Sequence, residues 1–137
     1  MRIENLMQLP FDDSPFDEVS LRGEGRQKLD DLRETAKERT EADGKPVAET
    51  AYGEALSVLA RLSRHLPFPE LQILDDGAVC MEWLPRKGLI TVNVYGDGLV
   101  FFAATWGRAS RITGVCELAD PLILPTVLKM VSDSFRR

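Results

Sequence analysis

Histidine, cysteine and long apolar runs are all scarce in this chain of 137 residues. The single histidine, His65, excludes a multi-histidine metal site, and it follows Arg64 at the predicted end of a helix, where a cation is favoured. The two cysteines, Cys80 and Cys116, lie far apart and lack the close spacing of zinc ligands. We therefore expect no metal and no cofactor.

Apolar runs long enough to span a membrane, roughly 18 residues or more, are also missing. The first residues, Met1–Leu6, contain no apolar signal core. Together with the low cysteine content, these absences lead us to expect a cytoplasmic protein without membrane contact.

Motifs for catalysis are missing as well. The string Gly23–Gly25 follows no predicted strand, and neither a phosphate-binding loop nor a nucleophile elbow occurs. The paired acids Asp12–Asp13 and Asp75–Asp76 fall in a predicted tail and a predicted turn, where adjacent side chains point apart and face water. We predict no catalytic residues, and an enzyme of unknown class remains the least favoured reading.

What the chain does contain is an ordinary globular composition, with 44% hydrophobic and 28% charged residues. The net charge of −5 lies wholly in the first 50 residues, which hold 13 acidic and 8 basic residues. We expect an irregular acidic segment over residues 1–24, followed by one α+β domain over residues 25–137.

Within the acidic segment, apolar anchors flanked by acids are typical of a docking peptide. A solvated tail is the alternative. The candidate docking residues are Phe11, Asp12, Asp13 and Phe16.

Apolar residues at helical spacing predict helices over residues 25–42, 50–66 and 125–135. Pro125 suits the first turn of the last helix. From Leu71 the period changes to two, and glycine turns recur about every ten residues. This pattern predicts a five-stranded antiparallel meander, with helices on one face and strands at 71–74, 78–84, 89–95, 99–105 and 112–118.

Even-numbered turns set the expected register of the sheet. A four-residue turn at 85–88 pairs Trp83 with Ile90, and a two-residue turn at Asp97–Gly98 pairs Val94 with Phe101. One face then collects only apolar residues and should lie under the helices. Its expected members are Val79, Met81, Trp83, Ile90, Val92, Val94, Phe101 and Ala103.

The opposite face is expected to carry three neighbouring aromatic residues, Tyr95, Phe102 and Trp106. We predict that they anchor a partner protein, with a polar rim formed by Arg86, Lys87, Arg108 and Arg111. Cover by the 25–42 helix or by a second copy of the chain, as a homodimer, is the alternative.

The meander also sorts the charged turns by end. Basic residues should gather at one pole of the sheet: Arg61, Arg64, His65, Arg86, Lys87, Arg108 and Arg111. Acidic residues should gather at the other: Asp75, Asp76, Asp97 and Asp120. The basic pole suits a small anionic ligand or nucleotide, or this chain's own acidic segment, whereas the net charge of −5 disfavours nucleic acid.

The block 51–102 resembles small uncharacterised bacterial and phage proteins, in which an apolar–Glu–Trp strand, here Met81–Trp83, precedes a glycine-turn hairpin. That resemblance implies a bacterial or phage accessory protein and brings no activity with it. Our expectation is a non-catalytic module that acts by protein–protein contact. By analogy, it would inhibit or regulate a nucleic-acid-processing or defence complex.

Overall fold

Apolar residues recur first at helical spacing, then at every second position, and then again at helical spacing. Helices and strands occur along the chain in that same order. The protein is described by a computed structural model for residues 14–39, 44–62 and 66–135, with side chains from residue 23 onward. Its elements are α1 (Ser14–Ala36), α2 (Glu49–Leu59), β1 (Glu70–Ile73), β2 (Val79–Trp83), β3 (Gly88–Val94), β4 (Leu99–Trp106), β5 (Ser110–Glu117) and α3 (Ile123–Ser134).

The first helix starts well before its predicted position at Gly25. It begins at Ser14, so residues 14–24 are helical rather than irregular. Pro15 lies in the first turn, where its missing N–H needs no partner, and it therefore does not break the helix. Of the predicted docking residues, Phe11, Asp12 and Asp13 lie outside the described residues, and so does the side chain of Phe16.

The second helix is shorter than predicted. It ends at Leu59, and the N–H groups of Arg61 and Leu62 donate to carbonyls three residues back, at 3.0 and 3.2 Å. The third helix occupies 123–134 with Pro125 in its first turn, as predicted. None of the helices in the described ranges combines the length and apolar character needed to cross a bilayer.

The sheet is the predicted antiparallel meander, in the order β1-β2-β3-β4-β5. The register between β2 and β3 is also as predicted, since Trp83 lies opposite Ile90 and Met81 opposite Val92. The predicted fold class, α+β with one or two helices before the sheet and one after it, is therefore confirmed, and two helices precede the sheet.

The register between β3 and β4 differs from the prediction by one residue. Val94 lies opposite Val100 instead of Phe101, because five residues, from Tyr95 to the first residue of β4, Leu99, separate this last pair of the ladder. A shift of one residue exchanges the two faces of a strand. Phe101 and Ala103 therefore leave the predicted core face, and Phe102 and Trp106 join it.

One face of the sheet, which we call the helix face, supplies the strand residues of a single core. All three helices contribute to that core, through Leu29 of α1, several residues of α2 and three of α3. Its sheet members are Val79, Met81, Trp83, Ile90, Val92, Val94, Val100, Ala104 and Cys116. The opposite face, which we call the outer face, contributes no residue to this core.

Candidate functional site

The three aromatic residues predicted to share a face are divided between the two faces. Tyr95 follows Val94 and lies on the outer face, whereas Phe102 and Trp106 lie opposite Gly114 and Ser110 on the helix face. Both are partly buried and pack against the core. The predicted aromatic cluster therefore does not exist, because it depended on the two-residue turn.

On the outer face, Tyr95 is held by its own neighbours. Its hydroxyl donates to Asp76 Oδ2 at 2.6 Å, and its ring meets Phe101 edge-on at 5.3 Å between centroids. The hydrogen bond to the carboxylate, with a contribution from burial, raises the pKa of Tyr95 to about 12. Tyr95 is thus a structural tie between the β1–β2 turn and the end of β3.

The rest of the outer face alternates apolar and polar residues. Leu89, Phe101 and Val115 are exposed, but Thr91, Thr105 and Thr113 lie among them. This mixture is typical of an antiparallel sheet whose second face meets water. The outer face therefore does not require cover by a partner protein.

The predicted basic pole instead contains a cleft. Its walls come from the β2–β3 turn, the β4–β5 turn and the C-terminal half of α3, and its volume is about 640 Å³. Ligand sites typically measure roughly 300–1,000 Å³. The lining residues are Pro85, Arg86, Lys87, Trp106, Gly107, Met130, Asp133 and Ser134.

Close backbone contacts fix the two turns that form this cleft. The N–H of Gly107 donates to the carbonyl of Lys87 at 2.9 Å, so the turns are tied together. At Gly88, a Cβ would lie 2.3 Å from the carbonyl oxygen of Thr105. Gly88 therefore lets β3 approach β4 closely beside Trp106, and it brings Arg86 and Lys87 alongside the indole.

The charge in the cleft is predominantly positive. Arg86 and Lys87 are exposed, and neither forms an ion pair with another described residue. Among the described residues of the lining, Asp133 is the one acid, and it accepts a hydrogen bond from Lys129 Nζ at 3.0 Å, four residues earlier on α3. Two cations are thus available to an anionic group, next to an apolar surface formed by Pro85, Trp106 and Met130.

Of the other predicted basic residues, those that the structure describes do not line the cleft. Arg108 lies exposed in the β4–β5 turn. Arg111 lies opposite Thr105 in the strand register, on the outer face. Arg61 lies at the opposite pole, where its guanidinium donates to the carbonyl of Leu118 at 2.8 Å and lines a surface with Asp97. Its predicted position was wrong because α2 does not carry the chain to the other pole: Thr50 and Glu54 contact Gly96 in the same β3–β4 turn that Arg61 neighbours. Arg64 and His65 lie outside the described residues.

Sequence reasoning missed the contribution of α3 to this site. The core stripe of α3 consists of Leu124, Val127, Leu128 and Val131, and Met130 and Ser134 lie beside it, four residues apart. Met130, an apolar residue beside the core stripe, was the sequence feature that could have indicated a binding surface on α3. Nothing in the sequence showed that this flank would end beside Trp106.

The two cysteine thiols do not line the cleft, and neither is an activated nucleophile. Burial raises the pKa of Cys80 to about 11 and also raises that of Cys116, so both thiols are protonated at neutral pH. Among the residues that the structure describes, no three His, Cys, Asp or Glu side chains form a group that could hold a metal ion.

Comparisons with protein-family models, with curated proteins and with solved structures find no match to this chain.

Proposed function

We propose that this chain is a non-catalytic binding protein whose cleft receives an acidic peptide segment of a partner protein. The observation that carries the proposal is the meeting of Trp106 with Arg86 and Lys87 in one cleft of about 640 Å³. An indole beside exposed cations suits a ligand with an apolar side chain and neighbouring carboxylates.

The arrangement of the cations favours a peptide over a small anion such as phosphate. A dedicated phosphate site uses several converging donors, often backbone N–H groups at a helix start. Here Arg86 and Lys87 project from an exposed turn, and the adjoining part of α3 is its C-terminal half. Long exposed cations at the rim of an apolar cleft instead steer and orient an acidic chain.

A non-catalytic role agrees with the chemistry of the groups in the lining. The Ser134 hydroxyl donates to the carbonyl of Val131 at 2.6 Å, within its own helix. The carboxylate of Asp133 forms an ion pair with Lys129. A cytoplasmic accessory protein that acts by contact remains our reading of the whole chain.

The test is selection of peptides from a random phage-displayed library on the full chain, followed by binding measurements on the selected peptides. We expect enriched sequences that combine acids with an aromatic or large aliphatic residue. A double variant, Arg86→Glu with Lys87→Glu, should weaken their binding by about tenfold or more. The matched control, Arg26→Glu with Lys45→Glu, makes the same charge change at two exposed sites outside the cleft and should bind normally.

Tryptophan fluorescence gives an independent readout of the same site. Trp83 is buried and its indole N–H donates to the carbonyl of Pro67 at 3.0 Å, so a bound peptide should change mainly the emission of Trp106. Peptides without acidic character, or equal binding by the charge-reversed variant and the control, would overturn the proposal. Stabilisation by ATP or inorganic phosphate that is lost in the charge-reversed variant would show a small-anion site instead.

A further inference from the structure

We propose that β5 pairs with β5 of a second copy of this chain, joining two sheets into one of ten strands. The cleft takes no part in this pairing, which involves only an edge of the sheet. β1 is a four-residue edge strand against which α1 packs. β5 is an eight-residue edge strand, paired with β4 without interruption and exposed at six positions.

An exposed strand of this length is a template for another strand, and soluble proteins usually protect such edges. β5 contains no proline and no bulge. Seven large apolar residues are strongly exposed in the described residues, and four of them, Ile112, Val115, Leu122 and Ile123, lie in β5 or just after it. Two of these residues, Ile112 and Val115, lie on β5 itself.

The residues on the two sides of Gly114 in β5 are of types that suit pairing with one another. A two-fold axis perpendicular to the sheet at that residue places Arg111 opposite Glu117 of the partner subunit, and the same pair recurs on the other side of the axis. It also places Thr113 opposite the partner's Val115, and Ile112 opposite the partner's Cys116. Opposite charges and β-branched or apolar pairs directly across strands are the stabilising combinations.

The faces of the sheet are consistent with this register. A perpendicular two-fold axis keeps the helix face of both copies on the same side, so residues that lie opposite each other must belong to the same face. Ile112 and Cys116 both belong to the helix face, and Arg111 and Glu117 both belong to the outer face. A second copy is favoured over an unrelated strand because the segment 111–117 of β5 supplies both halves of every pair.

Gly114 also has a packing role at the centre of this arrangement. Phe102 of β4 lies directly opposite Gly114, and a Cβ at position 114 would lie 2.5 Å from its ring. The glycine therefore lets the Phe102 ring cover the edge strand close to the axis.

Charge exchange tests the pairing. Analytical ultracentrifugation should show a concentration-dependent dimer for the full chain. Arg111→Glu and Glu117→Arg should each raise the dimer dissociation constant by about tenfold, because each single change places like charges opposite one another twice. The double exchange, Arg111→Glu with Glu117→Arg, should restore dimerisation, which a loss of folding would not do.

Disulfide formation tests the register itself. Thr113→Cys and Val115→Cys variants should form a cross-linked dimer when mixed and oxidised, whereas neither variant alone should do so, since its two new cysteines lie diagonally. The native Cys80 and Cys116 are buried and give little background. A monomer at every concentration would overturn the proposal. A dimer whose dissociation constant is unchanged by the charge variants would also overturn it. Cross-linking of the Thr113→Cys variant with a second copy of itself would do the same.

Discussion

Single side chains connect segments that are distant in the sequence, and Tyr95 is the clearest case. Its hydroxyl reaches Asp76 across nineteen positions of the chain at 2.6 Å. Because the phenol O–H donates a hydrogen bond to this carboxylate, the neutral phenol is stabilised in the folded state. The pKa of Tyr95 therefore rises from 10.0 to about 12. This contribution to stability is fully present below pH 10 and is lost as the pH rises towards 12.

We therefore expect Asp76→Asn to lower the pKa of Tyr95 towards 10, because the asparagine removes the negative charge. Ultraviolet titration of phenolate absorbance measures this directly, since the chain has only two tyrosines. A Tyr95→Phe variant identifies which ionisation belongs to Tyr95. Identical titration curves for Asp76→Asn and the unchanged protein would contradict the expectation.

At the scale of elements, Glu54 of α2 holds the β3–β4 turn in its five-residue form. Its two carboxylate oxygens accept the N–H groups of Gly96 at 2.9 Å and Gly98 at 2.6 Å. Thr50 donates to the carbonyl of Gly96 at 3.0 Å. Both glycines have positive φ values, 94° and 86°, which other residues rarely adopt.

We expect Glu54→Ala to lower the free energy of unfolding by about 2 kcal/mol, because two backbone donors lose a charged acceptor. Glu54→Gln keeps one acceptor oxygen and should lose about half as much. Urea unfolding of the three proteins measures the differences. Equal stability of the alanine variant and the unchanged protein would show that α2 does not hold this turn.

The start of α3 depends on Asp120. Its Oδ1 accepts the N–H groups of Leu122 at 2.7 Å and Ile123 at 2.8 Å, which lie at the N-terminal end of the helix. These hydrogen bonds lower the pKa of Asp120 below its usual 3.8. The stabilisation is therefore present above pH 3.8 and is lost as the pH falls through the lowered value.

Asp120→Ala should reduce the melting temperature at neutral pH, and its difference from the unchanged protein should narrow as the pH falls below 3.8. Asp120→Asn retains an acceptor oxygen without a charge, so it should lose less at neutral pH. Thermal melts across an acid series provide the measurement. A difference that is constant with pH would mean that Asp120 does not act through its carboxylate.

At the scale of the whole molecule, pairing through the β5 edge would determine where the two clefts of a dimer lie. The cleft lies at the pole where β4 leads into β5, and the proposed two-fold axis reverses the direction of the partner's sheet. The two clefts of a dimer would therefore face opposite ends of the ten-stranded sheet. A partner with two acidic segments would have to span that sheet to occupy both.

The sequence by itself determined most of the architecture. Alternating apolar residues and glycine turns predicted all five strands and their order, and the four-residue turn at 85–88 predicted the β2–β3 register. These features depend on local periodicity and turn length, which neighbouring residues encode. The same reasoning placed Arg86 and Lys87 correctly in the turn that borders the cleft.

Only the tertiary structure decided the β3–β4 register and, with it, the site. Asp97–Gly98 favours a two-residue turn locally, but Glu54 and Thr50 of the distant α2 stabilise the longer connection. That single-residue shift moved Trp106 to the helix face, where α3 packs and Met130 completes the cleft. Contacts between residues so far apart leave no periodic signal, because they arise only when the helices dock on the sheet.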